Sequence, residues 1–344
     1  MNRTGIVFTD KNKAEFLNMK SETTGDNQVL VRTEYTALSG GTERASISGM
    51  PNTNINSPGA ANNFPIMLGY SGVGVVIETG KLIHNIHKGD RVLIYHGVHS
   101  NYNLVHEDQL TKITDKNIDP MQAAFVPIAA MSLGGLRKTK IEPGESAMVF
   151  GMGILGAIAV ELFRFAGGLP VVVADLNPHR RELALKIGAD HAFDPASSDF
   201  AEQVKAVTDG KGVNAIVEVT GSSRALQQAL DIAAYMGRIS LLGCTRVSDC
   251  SIDYYQSVHR PGVSLIGAHN FVRPKTESYP YHWTHHDDCR SILKMLSMGR
   301  LSFKKIITEI ANPKDATVIY ARLIGDPDFP VGVVFDWNSA GIGS

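Results

Sequence analysis

The run Ala147-Met148-Val149-Phe150-Gly151-Met152-Gly153-Ile154-Leu155-Gly156 decides the fold. Its first four residues are apolar and read as a buried strand. Leu155, Ile158, Leu162 and Phe165 then recur at helical spacing, with Gly167-Gly168 as a stop. Between strand and helix lies G-x-G-x-x-G. Alone, that pattern is weak in a chain with 33 glycines, but in this setting it is the fingerprint of a dinucleotide-binding turn. Gly151 permits the tight turn, Gly153 lets backbone amides approach a pyrophosphate, and Gly156 lets the helix lie close to the sheet. The helix N-terminus turns its partial positive charge toward the phosphates. Asp175 ends the next strand, about 20 residues on, where an acid accepts hydrogen bonds from the adenosine ribose and repels a 2′-phosphate. This predicts NAD(H) in preference to NADP(H), with Arg180 and Arg181 as opposing charges.

Working outward, Ala147–Phe150, Val171–Ala174, His191–Phe193, Ala215–Val219, Ile239–Leu242 and Ser264–Ile266 read as strands separated by helical patterns. Six strands with helical crossovers predict a doubly wound parallel sheet over residues 121–270. The cofactor-binding residues expected from its strand ends are Gly151, Met152, Gly153, Ile154, Leu155, Gly156, Asp175, Leu176, Arg180, Val219, Thr220, Gly243, Cys244, Ala268 and His269. Gly72-Val73-Gly74 is a decoy, because it runs into the β-branched Val75-Val76-Ile77 and not into a helix.

The first 120 or so residues read as mostly β, with runs such as Val29–Arg32, Gly72–Glu78 and Arg91–Tyr95. After the α/β stretch come a helix over Asp287–Met298 and a strand over Gly332–Phe335, too little to stand alone. Residues 1–120 plus 271–344 are therefore expected to form one domain into which the α/β unit is inserted. Charge is balanced, 33 basic against 34 acidic residues, with no basic run, which disfavours nucleic-acid and anionic-membrane partners. Neither a signal sequence nor a membrane-spanning run is legible, so a cytoplasmic protein acting on a small molecule is expected. Cys244, Cys250 and Cys289 form neither a disulfide framework nor a zinc motif.

This layout resembles the medium-chain dehydrogenase/reductase superfamily, the zinc alcohol, sorbitol and threonine dehydrogenases. Gly41-Thr42-Glu43 with Gly49, Gly69-Tyr70-Ser71-Gly72-Val73-Gly74, Gly89-Asp90-Arg91-Val92 and the glycine turn carry the resemblance. It implies a GroES-like catalytic domain around a Rossmann domain, and a homodimer or homotetramer. In zinc members the first two motifs supply a Cys, a His and a Glu to the metal. Aligned here, those positions are Gly40, Tyr70 and Ser71, the further ligand falls near Pro127, and the four-cysteine lobe is absent. No bound metal is therefore expected. The Ser39-to-Arg44 run with Gly-Tyr-Ser is similar to a branch containing bacteriochlorophyllide dehydrogenase-like and threonine dehydrogenase-like bacterial proteins.

Zinc normally acidifies the bound oxygen, an effect worth roughly 12 kcal/mol when water is the example. Without it, Tyr70 and His96 are the acid/base candidates, with Thr42 as the hydroxyl relay that the family places beside the substrate oxygen. The family's relay histidine falls at Ala45. His99 is a further acid/base or substrate-contacting residue, joined by Ser39, Glu43 and Ser71. Glu43 also has a structural reading, and Tyr70 and Ser71 could simply fill the vacated metal pocket.

The second dense cluster is Tyr279-Pro280-Tyr281-His282-Trp283-Thr284-His285-His286-Asp287-Asp288-Cys289, after His269-Asn270. Adjacent histidines lack the i, i+4 spacing that puts two ligands on one helix face. Either the two aspartates simply open a helix, or Asn270 and Trp283 help to form an aromatic substrate wall suited to polyols. The reading is a dehydrogenase that moves a hydride between NAD and a secondary alcohol or ketone of a polyol, sugar or related molecule without zinc. The alternatives are a zinc-free enone or quinone reductase, and a catalytically silent NAD-binding redox sensor or structural subunit.

Overall fold

The computed structural model describes residues 2–340 apart from 21, 55, 58 and 248. In chain order the first strands are β1 (Arg3–Asp10), β2 (Lys13–Met19) and β3 (Gln28–Ala37), followed by α1 (Gly40–Ile47), β4 (Ser71–Thr79), β5 (Arg91–Tyr95), β6 (Tyr102–His106) and β7 (Leu110–Lys112). Then come α2 (Pro120–Ala123), α3 (Val126–Thr139), β8 (Ala147–Phe150), α4 (Ile154–Phe165), β9 (Val171–Ala174), α5 (Pro178–Ile187) and β10 (His191–Phe193). The chain continues through α6 (Phe200–Val207), β11 (Val213–Glu218), α7 (Ser223–Ile232), β12 (Ala233–Leu241), β13 (Ser264–Gly267) and α8 (His285–Ser297). It closes with β14 (Ile307–Ala311), α9 (Ala316–Gly325) and β15 (Gly332–Asp336).

Two compact units result, Met1–Ile128 with Cys289–Ser344, and Ala129–Asp288. The α/β unit thus reaches past residue 270, where the sequence pattern stops reading as strand and helix. Arg273 donates to the carbonyl of Ala130 and the carboxylate of Asp288, which binds the irregular segment after β13 to the start of α3.

In the first unit the sheet order is β14-β15-β3-β4-β5-β7, with β6 also on β3. The runs expected over Val29–Arg32, Gly72–Glu78 and Arg91–Tyr95 lie in β3, β4 and β5, and Gly74 packs inside β4 as a strand residue. Ile6, Phe8, Leu38, Ile47, Leu323 and Phe335 form a core closed by Tyr320, whose ring meets Phe8 edge-on at 4.7 Å.

The second unit holds a six-stranded sheet in the order β10-β9-β8-β11-β12-β13, all pairs parallel. Strands β8 and β9 are buried at every position, as strands covered on both faces require. The helix α4 stops where Gly167-Gly168 predicts: Gly167 takes φ 89° and the Gly168 amide donates back to the Phe163 carbonyl. Among the described residues no helix is long and apolar enough to cross a membrane.

Candidate active site

The glycine turn connects β8 to α4. Gly151 has φ 93°, and a Cβ on Gly156 would stand 1.8 Å from the Gly151 carbonyl oxygen, so the packing of the protein itself demands glycine there. Gly153 is different. Its φ of −70° suits any residue, and an added Cβ would meet nothing within 4 Å. Gly153 is the N-cap of α4, and its missing side chain leaves open the approach to the first-turn amides of that helix, which have no partners within it. The turn therefore fits a dinucleotide pyrophosphate.

Asp175 follows β9 and is buried. Its Oδ2 accepts the Met152 amide at 2.6 Å and its Oδ1 accepts the Asn177 amide at 2.8 Å. The two neighbouring arginines divide: Arg181 donates to the Asp175 and Leu176 carbonyls, whereas Arg180 lines a cavity of about 300 Å³ beside Asp175, Gly151 and Thr220. Arg224 and Gln228 of α7 close that cavity. Sequence reasoning missed both, because they sit on a helical face with no motif around them. Leu176 is exposed at the same rim.

Sequence reasoning also passed over Glu218 at the end of β11. Its Oε1 accepts from the amides of Thr220 at 2.6 Å and Gly221 at 3.1 Å, so it shapes the loop that starts at Val219. Burial raises the pKa of this carboxyl, and the hydrogen bonds from Thr220 and Gly221 pull the other way. Gly243 packs against that loop: a Cβ there would stand 2.4 Å from the Gly221 amide. Cys244 follows as an exposed free thiol. Past β13, Ala268 is buried and His269 exposed, and partial desolvation, with Arg246 nearby, lowers the pKa of the His269 ring.

In the other unit the structure gathers Ser39, Tyr70 and His96. The Tyr70 hydroxyl lies 2.7 Å from Ser39 Oγ, and the His96 amide donates to the Tyr70 carbonyl at 3.0 Å. His96 is held in left-handed backbone, φ 58°, with its ring 3.8 Å from that of Tyr95. Although the residue is exposed overall, the protein around its ring desolvates the imidazolium and lowers its pKa. Thr42 is exposed on α1.

Of three expected substrate or acid/base residues, His99 moves into the core, and Glu43 and Ser71 take the structural alternative that the sequence also offered. His99 is 0% exposed and Glu43 1% exposed, so neither touches a substrate. They form a buried network instead: Glu43 accepts from the Ser39 amide at 2.8 Å, from the Tyr320 hydroxyl at 2.5 Å and from His99 Nε2 at 3.2 Å. Trp337 Nε1, which can only donate, bonds Thr36 Oγ1 at 2.9 Å, and Thr36 Oγ1 lies 2.8 Å from His99 Nδ1. With Thr36 donating to Nδ1, Nε2 carries the proton that Glu43 accepts, and every member is satisfied. Ser71 is also buried, and its hydroxyl donates to the Ala124 carbonyl at 2.6 Å. What Glu43 does is fix the backbone of Ser39, the partner of Tyr70.

Trp283 packs against α3, the Arg137 guanidinium lying 4.2 Å over its ring. Asp287 and Asp288 lie in the first turn of α8. Asn270 precedes the exposed Phe271 in the segment after β13.

Residues 25–119 match the family model for the alcohol dehydrogenase GroES-like domain, and residues 155–279 match that for zinc-binding dehydrogenases. The chain belongs to the medium-chain alcohol dehydrogenase-like superfamily. It is an oxidoreductase of the alcohol dehydrogenase type. Among these dehydrogenases it is similar to the L-threonine 3-dehydrogenase of Pyrococcus abyssi, at 29% identity over 71% of this chain and 74% of that one. It is also similar to the D-guloside 3-dehydrogenase of Escherichia coli K12, at 26% identity over 78% and 77%. A short chain alcohol dehydrogenase of Escherichia coli CFT073, solved with NADH, shares the fold: TM-score 0.81, 16% identity, covering 98% of this chain and 100% of that one.

The dehydrogenase family's zinc does not fit these residues. Gly40 offers no donor atom, the Tyr70 hydroxyl is paired with Ser39, and Ser71 gives its proton to a carbonyl. The imidazole and carboxylate of His99 and Glu43 are buried and turned on each other. Among the described residues no three His, Cys, Asp or Glu side chains gather as metal ligands.

Proposed function

We propose that this dehydrogenase uses NAD(H) to interconvert a secondary alcohol and its ketone on a polyol, sugar or related small molecule, without catalytic zinc. The observation that carries the reading is the 2.7 Å contact of the Tyr70 hydroxyl with Ser39 Oγ, at the position where zinc relatives place a metal ligand. A nicotinamide dinucleotide, when bound, supplies the hydride chemistry. The chain's own residues bind it and handle the proton.

Gly153 leaves the space for the pyrophosphate and Asp175 faces the ribose end of the cavity, its charge favouring NAD over NADP. During oxidation Tyr70, having first released its own proton to solvent, takes the hydroxyl proton of the substrate as the phenolate, and during reduction the neutral hydroxyl returns it. Ser39 Oγ donates to the tyrosine oxygen while that oxygen lacks its proton, which lowers the cost of the ionised form. His96 is tied to Tyr70 through the backbone, its amide donating to the Tyr70 carbonyl, and is the second titratable residue of this segment. The names of the threonine 3- and guloside 3-dehydrogenase relatives support a substrate with several polar groups around the reacting hydroxyl.

The test is NADH formation across a panel of polyols, sugar derivatives and hydroxy amino acids, with Tyr70→Phe as the control. Turnover on one member, lost in the variant while NADH binding persists, supports the reading. NADH binding with no turnover on any member removes it in favour of a silent binding protein.

A further inference from the structure

Ser39 stands at the N-cap of α1, where a serine hydroxyl ordinarily accepts an amide of the first helical turn. Here it makes no such bond, and Ser39 Oγ lies instead 2.7 Å from the Tyr70 hydroxyl. Both backbone polar groups of Ser39 go to a single residue. Its amide donates to Glu43 Oε1 at 2.8 Å, and its carbonyl accepts the Glu43 amide at 2.9 Å. Glu43 thereby ties down the residue that precedes α1 and leaves the serine hydroxyl for the tyrosine.

Glu43 is itself held from remote parts of the same compact unit. Tyr320 of α9 donates to Oε2 at 2.5 Å, and His99 Nε2 lies 3.2 Å from the same oxygen. The Trp337 indole, acting through Thr36 Oγ1, leaves the His99 proton on the nitrogen that faces Glu43. Burial, and then the Glu43 charge, raise the Tyr320 phenol well above its ordinary pKa, so it stays protonated and keeps donating. A helix of eight residues does not require this apparatus, since the serine hydroxyl alone would cap it.

We propose that Glu43 is a positioning residue for the Tyr70–Ser39 pair, holding Ser39 so that its hydroxyl donates to the ionised tyrosine, with His99 and Tyr320 keeping the carboxylate in place. The inference rests on the proton-handling role given to Tyr70 above, but its test needs no substrate. Position and charge pull in opposite directions. The Glu43 charge by itself disfavours a phenolate nearby, so a variant that keeps the charge and loses the reach isolates the positioning.

The experiment titrates the tyrosinate absorbance of the full chain with pH, and the difference from Tyr70→Phe gives the ionisation of Tyr70. Glu43→Asp retains the carboxylate on a side chain one methylene shorter. It should move the Tyr70 titration to higher pH by about one unit, a tenfold loss of the ionised form, as Ser39→Ala does, with NADH affinity unchanged. Because both act through one hydrogen bond, Glu43→Asp combined with Ser39→Ala should shift the titration no further than Ser39→Ala alone. Tyr320→Phe leaves Glu43 in the chain and should give a smaller shift in the same direction, which carries the test where Glu43→Asp does not fold. A titration unmoved by these variants, a shift to lower pH, or shifts that add to that of Ser39→Ala overturn the inference. The expected shifts in a chain that turns over no substrate uphold the positioning and remove only the proposed reaction.

Discussion

The Met152 amide donates to the Asp175 carboxylate at 2.6 Å, so the acid that ends one strand fixes the turn that ends its neighbour. Asp175 thereby acts twice, fixing the glycine turn and lining the cavity beside it. Asp175→Ala should weaken NADH about 10- to 100-fold, the range for losing charge-assisted hydrogen bonds. It should weaken NADPH less, because the same change removes repulsion of the 2′-phosphate. Fluorescence titrations of both cofactors check this, and equal losses would contradict the preference for NAD.

Tyr70→Phe removes the hydroxyl that meets Ser39. Turnover should fall about 10²- to 10⁴-fold, the usual range for a lost acid/base group, at nearly unchanged NADH affinity. Ser39→Ala should give a smaller loss and shift the pH profile of alcohol oxidation toward higher pH, because it takes away the donor to the ionised tyrosine. Steady-state kinetics over pH for the two variants decide the matter.

Tyr320→Phe leaves Glu43 short of one donor inside the core. The cost should be about 1–3 kcal/mol, which lowers the melting temperature by several degrees, with NADH affinity intact. A variant as stable as the parent chain would mean that the buried network carries no weight.

Glu218 should tie pH to cofactor binding. Burial raises its carboxyl above the usual range, so on acidification the native chain takes up this proton before the unfolded chain does. For this one group, falling pH therefore relieves a destabilisation. The same protonation weakens its hold on the Thr220 and Gly221 amides. NADH affinity should thus fall with pH just above the ordinary glutamate range, while the contribution of this group to stability moves the other way. In Glu218→Gln the amide oxygen still accepts, and that acid limb of the binding curve should flatten. A curve unchanged by the substitution would contradict the assignment.

The parallel sheet and its turn were legible because strand burial on both faces leaves continuous apolar runs, and because Gly156 is imposed by contact with the Gly151 carbonyl. Ser39, Tyr70 and His96 were legible from motif position alone, and β4 and β5 bring two of them together by pairing Ser71 with Tyr95. The roles of His99 and Glu43 were not. A polar residue buried among partners from β3, α9 and the chain end near Trp337 looks in sequence like any polar residue near a site. Arg224 and Gln228 were hidden for the converse reason: α7 shows its amphipathic face in sequence, but which polar residues border a cavity depends on the neighbouring loops. The start of β12 was misread as well, because the exposed Tyr235 and Met236, the latter with φ 61°, interrupt the apolar pattern.

Turnover after removal of metal tests the proposal most directly. The purified protein is dialysed against a strong chelator until elemental analysis finds zinc far below one per chain, then assayed with NAD and the best substrate of the panel. Full activity without metal, abolished by Tyr70→Phe, is the predicted result. Activity lost on chelation and restored by stoichiometric zinc would contradict it.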